Sequence, residues 1–355
     1  MDRRIEIVYR NTGRGLVADG EMLRSILESL GFDVIIIKVP PTRGYQFRIR
    51  GHLDTCYKRM PWLLSLSINL IAKWRRWRLG YQPLLTIQLQ SPIMRYFGAA
   101  RHTWLVPNQE WFRADRLIYL KFYDAVVCKT EAARALFSQW HKNTVFTGFS
   151  GEYATSVEPA GMLQVGAPEE QSSPFFIHVA GKNRRKGSQL LMACWRLQPE
   201  WPKLVVVTDS VDRLAPIPDN VEVLTDADDQ CVGHLQRNAL AVLAPSEVEG
   251  FGHTLLEGMA RGAIVLSTDA PPMNELVDAE RGVLVPAEWK TKVRLGDGYG
   301  ISVDHMTEAV NRILALSPEQ RTAMSVKARS WVYENHSAFC RRFKLLIEEN
   351  LKPDN

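Results

Sequence analysis

The chain has few cysteines and uses them singly. Cys56, Cys128, Cys194, Cys231 and Cys340 are odd in number, share no C-x-x-C and show no paired spacing, which argues against a disulfide framework and for a reducing cytoplasm. A long apolar run is missing from the opening stretch. "MDRRIEIVYRNTGRG" passes from charges through a short strand into glycines, and reads neither as a signal peptide nor as a membrane span. A cytoplasmic protein is expected. No internal repeat or low-complexity tract is visible, and with 46% hydrophobic and 23% charged residues the composition suits a soluble enzyme able to bury sizeable cores. Acid is scarce only at the front. Residues 1–160 hold 23 Lys and Arg against 13 Asp and Glu, net +10, while the remainder holds 21 against 26, net −5.

A chain of 355 residues suits two domains of about 150 to 200 residues each. The stretch Gly148 to Pro174, rich in Gly, Ser, Pro and Glu, reads as the linker between them. Before it, apolar runs such as "IEIVY", "DVIIIKV", "LLTIQL", "HTWLV" and "DAVVC" alternate with helical patterns over Asp19 to Leu30 and Pro61 to Arg78. After it the rhythm returns in "FFIHVAG", "KLVVVTD", "VEVL", "LAVLAP", "AIVLST" and "GVLVP". Such alternation is that of βαβ units and parallel sheets. The expected architecture is α/β, with a Rossmann-like doubly wound domain over 1–160, a second over 161–335, and a C-terminal helix over 336–355. Ser317-Pro318-Glu319-Gln320 reads as the capping-box start of the closing helical stretch. Ligands of two such lobes sit at the carboxyl ends of the strands.

The most informative stretch is "PSEVEGFGHTLLEGMARG", Pro245 to Gly262. It follows a predicted strand and opens a predicted helix at Thr254. Gly250 and Gly252 let the backbone approach a ligand, and the amides of Phe251, Gly252 and His253 point with the helix dipole at an anion. Glu257 can accept two hydrogen bonds from a vicinal diol, and Glu249 can reach hydroxyls on the other side. Diol, diphosphate and polyol together describe a nucleotide sugar. A structural reading stands beside this one, in which Thr254 and Glu257 form a capping box and Glu249 is a solvated acid. A second cluster, "HVAGKNRRKGSQLL", carries Lys182, Arg184, Arg185 and Lys186 between a strand and a helix; it can neutralise a diphosphate or be a solvated turn.

The run "EGFGHTLLEGMARG", followed by "PPMNELV" and "RGVLVP", resembles the donor-binding signature of retaining glycosyltransferases of the GT-B fold, family 4 type, the glycosyl transferases group 1. The likeness covers most of the second lobe. In the first lobe only "YDAVVCKTEAARALF" and the glycine turn share it. It implies that Glu257 holds the donor ribose and that Glu249 lies near the donor sugar, with Phe251 and Gly252 beside them; Thr254, opening the helix, is a further donor-site candidate. It also implies a cation after the first glycine of the basic loop and one before the next, places held here by Lys182 and Lys186. The loop is one residue shorter than usual, with Lys where Arg is customary, so Arg184 and Arg185 stand as alternatives to Lys182.

In the first lobe Gly13 and Gly15 mark a strand-to-helix turn that reads by itself as structural, and that the resemblance places toward the donor phosphates and the acceptor. Asn108 and Glu110 in "VPNQEWF" are candidates where the family often carries a catalytic-site histidine or acid; Glu110 reads equally as a surface acid, and His102 reads as structural. Asp226-Ala227-Asp228 reads as a helix cap rather than a D-x-D metal site. The segment "PWLLSLSINLIAKWRRWR" has apolar positions 62, 66, 70, 74 and 77; this stripe reads as packed on the sheet, with an interfacial membrane helix as the alternative. The expected activity is sugar transfer from a nucleoside diphosphate sugar to an anionic acceptor, with retention and with neither metal nor further cofactor. A glycolipid or lipopolysaccharide at the inner face of a membrane is one acceptor, and modified bases of DNA are another. A nonenzymatic nucleotide- or nucleic-acid-binding protein is the alternative of another class.

Overall fold

Runs of valine, isoleucine and leucine too continuous for a one-faced sheet become parallel strands buried on both sides. The computed structural model describes residues 3–11, 13–40, 44–155, 173–181 and 183–351, and of 44–50 the backbone alone. The chain divides into two units, one of Met1–Gly151, Arg294–Gly296 and Ala338–Asn355, the other of Glu152–Val293 and Asp297–Ser337. The expected boundary at residue 160 and the middle of the proposed linker, 156–172, lie outside the described residues.

The first unit runs β1 (Arg4–Arg10), α1 (Arg14–Ser29), β2 (Asp33–Val39), α2 (Gly44–Arg59), α3 (Pro61–Leu79), β3 (Leu85–Gln90), β4 (His102–Pro107), β5 (Ala125–Cys128), α4 (Glu131–Phe137) and β6 (Thr144–Phe146). Its strands lie in the order β2-β1-β3-β4-β5-β6, each described pair parallel. Phe97, Leu105, Phe112, Tyr119 and Phe137 form a core on one face. Helix α1 starts at Arg14, ahead of the expected Asp19, which lies inside the helix and is buried against the ammonium of Lys129 rather than capping it.

The second unit runs β7 (Phe175–Gly181), α5 (Ser188–Leu197), β8 (Lys203–Thr208), β9 (Val221–Leu224), α6 (Asp229–Asn238), β10 (Val242–Ala244), α7 (His253–Ala260), β11 (Val265–Asp269), α8 (Met273–Leu276) and β12 (Val283–Pro286). A two-stranded ribbon, β13 (Trp289–Val293) and β14 (Gly296–Gly300), comes next, then α9 (Val303–Leu314) and α10 (Pro318–Asn350). Strand order is β12-β11-β10-β7-β8-β9, again parallel in each described pair. Trp195, Leu204, Val206, Leu243, Met306 and Ile313 pack the core, and fully burying one such leucine contributes about 2 kcal/mol. The chain winds from β7 out to β9 and returns to place β10 on the other side of β7, so the sheet reverses direction between these two neighbours.

Local capping follows the chemistry of the residues. Ser317 and Gln320 close a reciprocal capping box at the start of α10, with Ser317 N–H donating to Gln320 Oε1 at 2.9 Å and Gln320 N–H to Ser317 Oγ at 3.3 Å. Asp228 caps α6 by accepting from Cys231 N–H at 2.7 Å, the role its place before that helix suggests. Helix α3 departs from expectation in its phase. Leu64, Ile68, Ala72 and Arg75 face inward, while Trp62, Leu66, Leu70, Trp74 and Trp77 are exposed. The stripe read as packed on the sheet is the solvent face. Both faces of this helix are apolar, and the inward one is fixed by Arg75, whose guanidinium bonds the buried Glu6 carboxylate at 2.5 Å and lies 4.2 Å over the Tyr96 ring.

Candidate functional site

The reversal between β7 and β10 is where an open α/β sheet forms a ligand crevice at its carboxyl edge. Two loops leave that edge side by side, one from β7 into α5 and one from β10 into α7. Gly187 takes φ 79°, a left-handed conformation that favours glycine, and a Cβ there would run into the Pro245 carbonyl oxygen. The basic loop is thereby seated against the start of the Pro245–Gly252 loop. Their backbones are also joined, since Glu247 N–H donates to the Arg185 carbonyl at 2.8 Å.

Helices α5 and α7 both have glycine at the N-cap, Gly187 and Gly252, and no side-chain cap. In the same unit Asp228 and Ser302 cap α6 and α9 with their side chains. Leaving first-turn N–H groups without a side-chain acceptor at two adjacent helix starts builds an anion-binding edge. Gly252 has φ 118° and a Cβ there would lie 3.0 Å from both Leu255 Cδ1 and Leu276 Cδ1, so the turn admits only glycine without strain. The helix begins at His253, one residue earlier than expected. Thr254 is consequently not an N-cap, and the capping-box reading of Thr254 and Glu257 fails. Glu257 is half-buried, and none of the side-chain hydrogen bonds among the described residues engages its carboxylate.

Lys186 and Glu249, singled out separately in the sequence, form one ion pair. Lys186 Nζ lies 2.5 Å from Glu249 Oε1, with the two side chains 15% and 12% exposed. An ammonium has three donors, so this pairing positions Lys186 without exhausting it. Arg185 pairs instead with Glu247 at 3.0 Å in a solvent-exposed bridge, and Arg184 is exposed. Lys182 lies outside the described residues. Gly250 and Phe251 are buried, and the His253 ring stands edge-on to Phe251 at 5.2 Å while Tyr153 Oη approaches His253 Nδ1 at 3.2 Å. Tyr153 carried no sequence signal, because it precedes the second unit's first strand and reaches the loop only through the fold.

Beneath the loops His178 is wholly buried. Its Nδ1 donates to the Leu243 carbonyl at 2.7 Å, which leaves Nε2 to accept from Ser188 Oγ at 2.8 Å. One imidazole thus ties β7 to β10 and to the first residue of α5. Burial holds its pKa down to about 4, and the nearby Lys186 charge adds to the effect, so the ring is neutral at pH 7.

In the first unit Gly13 is the N-cap of α1 with an extended φ of 172° and nothing within 4 Å of a Cβ. Gly15 lies inside that helix. Their turn is open but not one that demands glycine. Glu110 is buried at 7% exposure and accepts from Asn108 Nδ2 at 3.4 Å; Gly296, in the same unit, backs onto Gln109 and Glu110. It is therefore no surface acid. His102 opens β4. Arg10, at the carboxyl end of β1, is held below the ordinary arginine range by burial and then by the charges of Arg116 and Arg95. This arginine cluster had no motif to announce it.

Two doubly wound units, each with a six-stranded sheet parallel in every described pair, make the GT-B fold. The family match falls on that second unit: residues 168–331 match the model of the Glycosyl transferases group 1, and the protein is an enzyme of the glycosyltransferase class. Among solved structures, a glycosyltransferase from Rickettsia africae ESF-5 is 16% identical with a TM-score of 0.67, covering 99% of this chain and 99% of that one. Sucrose-phosphate synthase from Thermosynechococcus elongatus is 17% identical with a TM-score of 0.67 over 98% of each chain. Anabaena HepE, solved in complex with UDP and glucose, is 13% identical with a TM-score of 0.63, covering 97% of this chain and 99% of that one. At such identities the likeness is one of fold. No curated protein matches the chain by sequence.

Proposed function

We propose that the enzyme transfers a sugar from a nucleoside diphosphate sugar, with retention of anomeric configuration, to an anionic acceptor such as a lipid-linked glycan or lipopolysaccharide at the inner face of a membrane. The observation that carries the donor half is the pair of side-chain-uncapped helix starts at Ser188 and His253, with Lys186 joined to Glu249 beside them. In this reading the first-turn amides take the diphosphate, and Glu257 accepts from the ribose hydroxyls. Glu249, held by Lys186, faces the donor sugar. The sugar–phosphate bond breaks as the acceptor oxygen attacks from the same face, and the acceptor proton passes to a phosphate oxygen. Lys186, with Lys182 and Arg184, neutralises the charge growing on the leaving diphosphate; catalysis is then positioning and electrostatics, without metal or further cofactor. UDP, bound by the similar Anabaena protein, is the first donor base to try.

The acceptor half rests on charge. Residues 1–160 carry net +10, and the half-buried Arg10 at the end of β1 feels the charges of Arg116 and Arg95, although Arg116 is itself paired with Asp54 at 3.0 Å. The Gly13–Gly15 turn and Glu110 are the candidates on this side. A thermal-shift panel of UDP, GDP, ADP and their sugars, followed by NMR assignment of the product anomer, tests the reading. One nucleotide and its sugar should stabilise the protein and turn over with retention. A panel without any shift, or an inverted product, would contradict it.

A further inference from the structure

We infer that the outward face of α3 is a docking surface for an anionic lipid bilayer. At about 100° per residue, Leu64, Ile68, Ala72 and Arg75 cluster on one side of this 19-residue helix, and Trp62, Leu66, Leu70, Trp74 and Trp77 on the side about 180° away. These five side chains are 63%, 48%, 59%, 55% and 80% exposed. Single exposed apolar residues are ordinary, but a continuous stripe of three tryptophans and two leucines marks a place of contact. Leu53 and Met60, at 45% and 39% exposure, precede the stripe along the chain.

The charges choose the occupant. The segment Pro61–Leu79 contains no acid, while Lys73 and Arg78 are exposed, Arg76 is half-exposed, and Lys58 and Arg59 stand exposed just before it. Two copies of such a face would repel each other, whereas anionic headgroups complement it. The order of residues suits a helix lying in the membrane surface. Indoles stand at both ends, where an amphipathic ring prefers the headgroup level, and Leu66 and Leu70 between them are aliphatic, suited to acyl chains and unable to stack on nucleic-acid bases. Arg78 lies 5.4 Å over the Trp74 ring, so cation and indole act together. No described helix is long and apolar enough to cross a membrane, so the contact is peripheral. Arg75 is not part of this surface: buried on Glu6, it anchors the helix to the sheet. The inference draws on the function proposed above only in bringing a lipid-borne acceptor to the enzyme.

The test is co-sedimentation of the full chain with phosphatidylcholine vesicles containing or lacking about 30% phosphatidylglycerol, with brominated lipid as a quencher of the indoles. Binding should require the anionic lipid, weaken at 0.5 M salt and quench tryptophan emission. Lys73→Gln, Arg76→Gln and Arg78→Gln together should lower partitioning by about 100-fold, at roughly fivefold per cation lost. Leu66→Ser, Leu70→Ser and Trp74→Ser together should lower it at least tenfold, at every salt concentration. The thermal shift given by UDP or whichever nucleotide binds should be unchanged in both variants, which separates this surface from the donor site. No sedimentation at low salt, sedimentation equal to wild type in both variants, a stable dimer held by this face, or salt-steep DNA binding without vesicle binding would each overturn the inference.

Discussion

Each unit opens with a strand, a glycine turn and a helix at the point where its sheet reverses direction, yet the two turns are built differently. At the first, Gly13 is extended and a Cβ would meet nothing within 4 Å. At the second, Gly187 is left-handed and wedged against Pro245, with a buried histidine beneath and an ion pair beside it. The fold alone therefore does not make a phosphate site. In the proposed donor site, the distinguishing features are backbone geometry that admits only glycine, helix starts without side-chain caps, and a fixed cation. The first turn keeps the topology without those constraints.

The contrast is broken most severely at the two glycines. Gly187→Ala should cost about 3 kcal/mol or more, from left-handed strain and the collision with Pro245, and should abolish the nucleotide thermal shift. Gly13→Ala should cost less than about 1 kcal/mol and leave nucleotide binding intact. Chemical denaturation and thermal-shift assays of the two variants measure both. Equal effects would mean that the turns are equivalent after all.

A comparable effect is expected from pH. The His178 pKa is depressed to about 4 in the fold, against an ordinary value near 6.5. Its contribution is fully present above pH 6.5 and is lost as pH falls from there through 4, since the unfolded chain takes up the proton first. The loss approaches about 3 kcal/mol. His178→Gln should flatten that part of the stability profile, read by denaturant titration between pH 7 and 4.5. An unchanged slope would remove His178 from the support of the site.

Smaller still is the expected effect of Lys186→Met on turnover, about 100-fold in kcat, with a lesser change in acceptor KM, because in the proposed transfer the charge it faces grows as the bond breaks. Removing Lys186 also leaves Glu249 without this partner, so Lys186→Met/Glu249→Gln measures how much of the loss belongs to the pair. Steady-state kinetics decides. Unchanged kcat would take Lys186 out of the mechanism.

The second unit was the more legible of the two because its strands are short, dense in valine and leucine, and bounded by turn residues; "FFIHVAG" and "VEVL" coincide with β7 and β9. Helix α2 went unread since "GYQFRIRGHLDTCYKR" offers no apolar stripe of helical period. The β13–β14 ribbon went unread because "WKTKV" is mostly polar and exposed. In α3 two apolar stripes compete, and periodicity cannot say which one meets the sheet; the buried Arg75 on Glu6 decides it, a contact across 69 residues. The glutamates and the basic loop stood out by type and spacing. That Lys186 and Glu249 bond each other, 63 residues apart, depends on β7 and β10 being neighbours, which no local pattern encodes.

In the proposed function, the carboxyl edge between β7 and β10 binds a nucleoside diphosphate through the starts of α5 and α7 and through Glu257. Isothermal titration of UDP, GDP and ADP into the wild type and Glu257→Gln tests it directly. Glu257 sits inside α7 rather than at its cap, so the substitution should leave the melting temperature within about 1 °C while weakening the preferred nucleotide about tenfold, the worth of one charged hydrogen bond to a ribose hydroxyl. Binding of none of the three nucleotides, or equal affinity in the wild type and Glu257→Gln, would contradict the account.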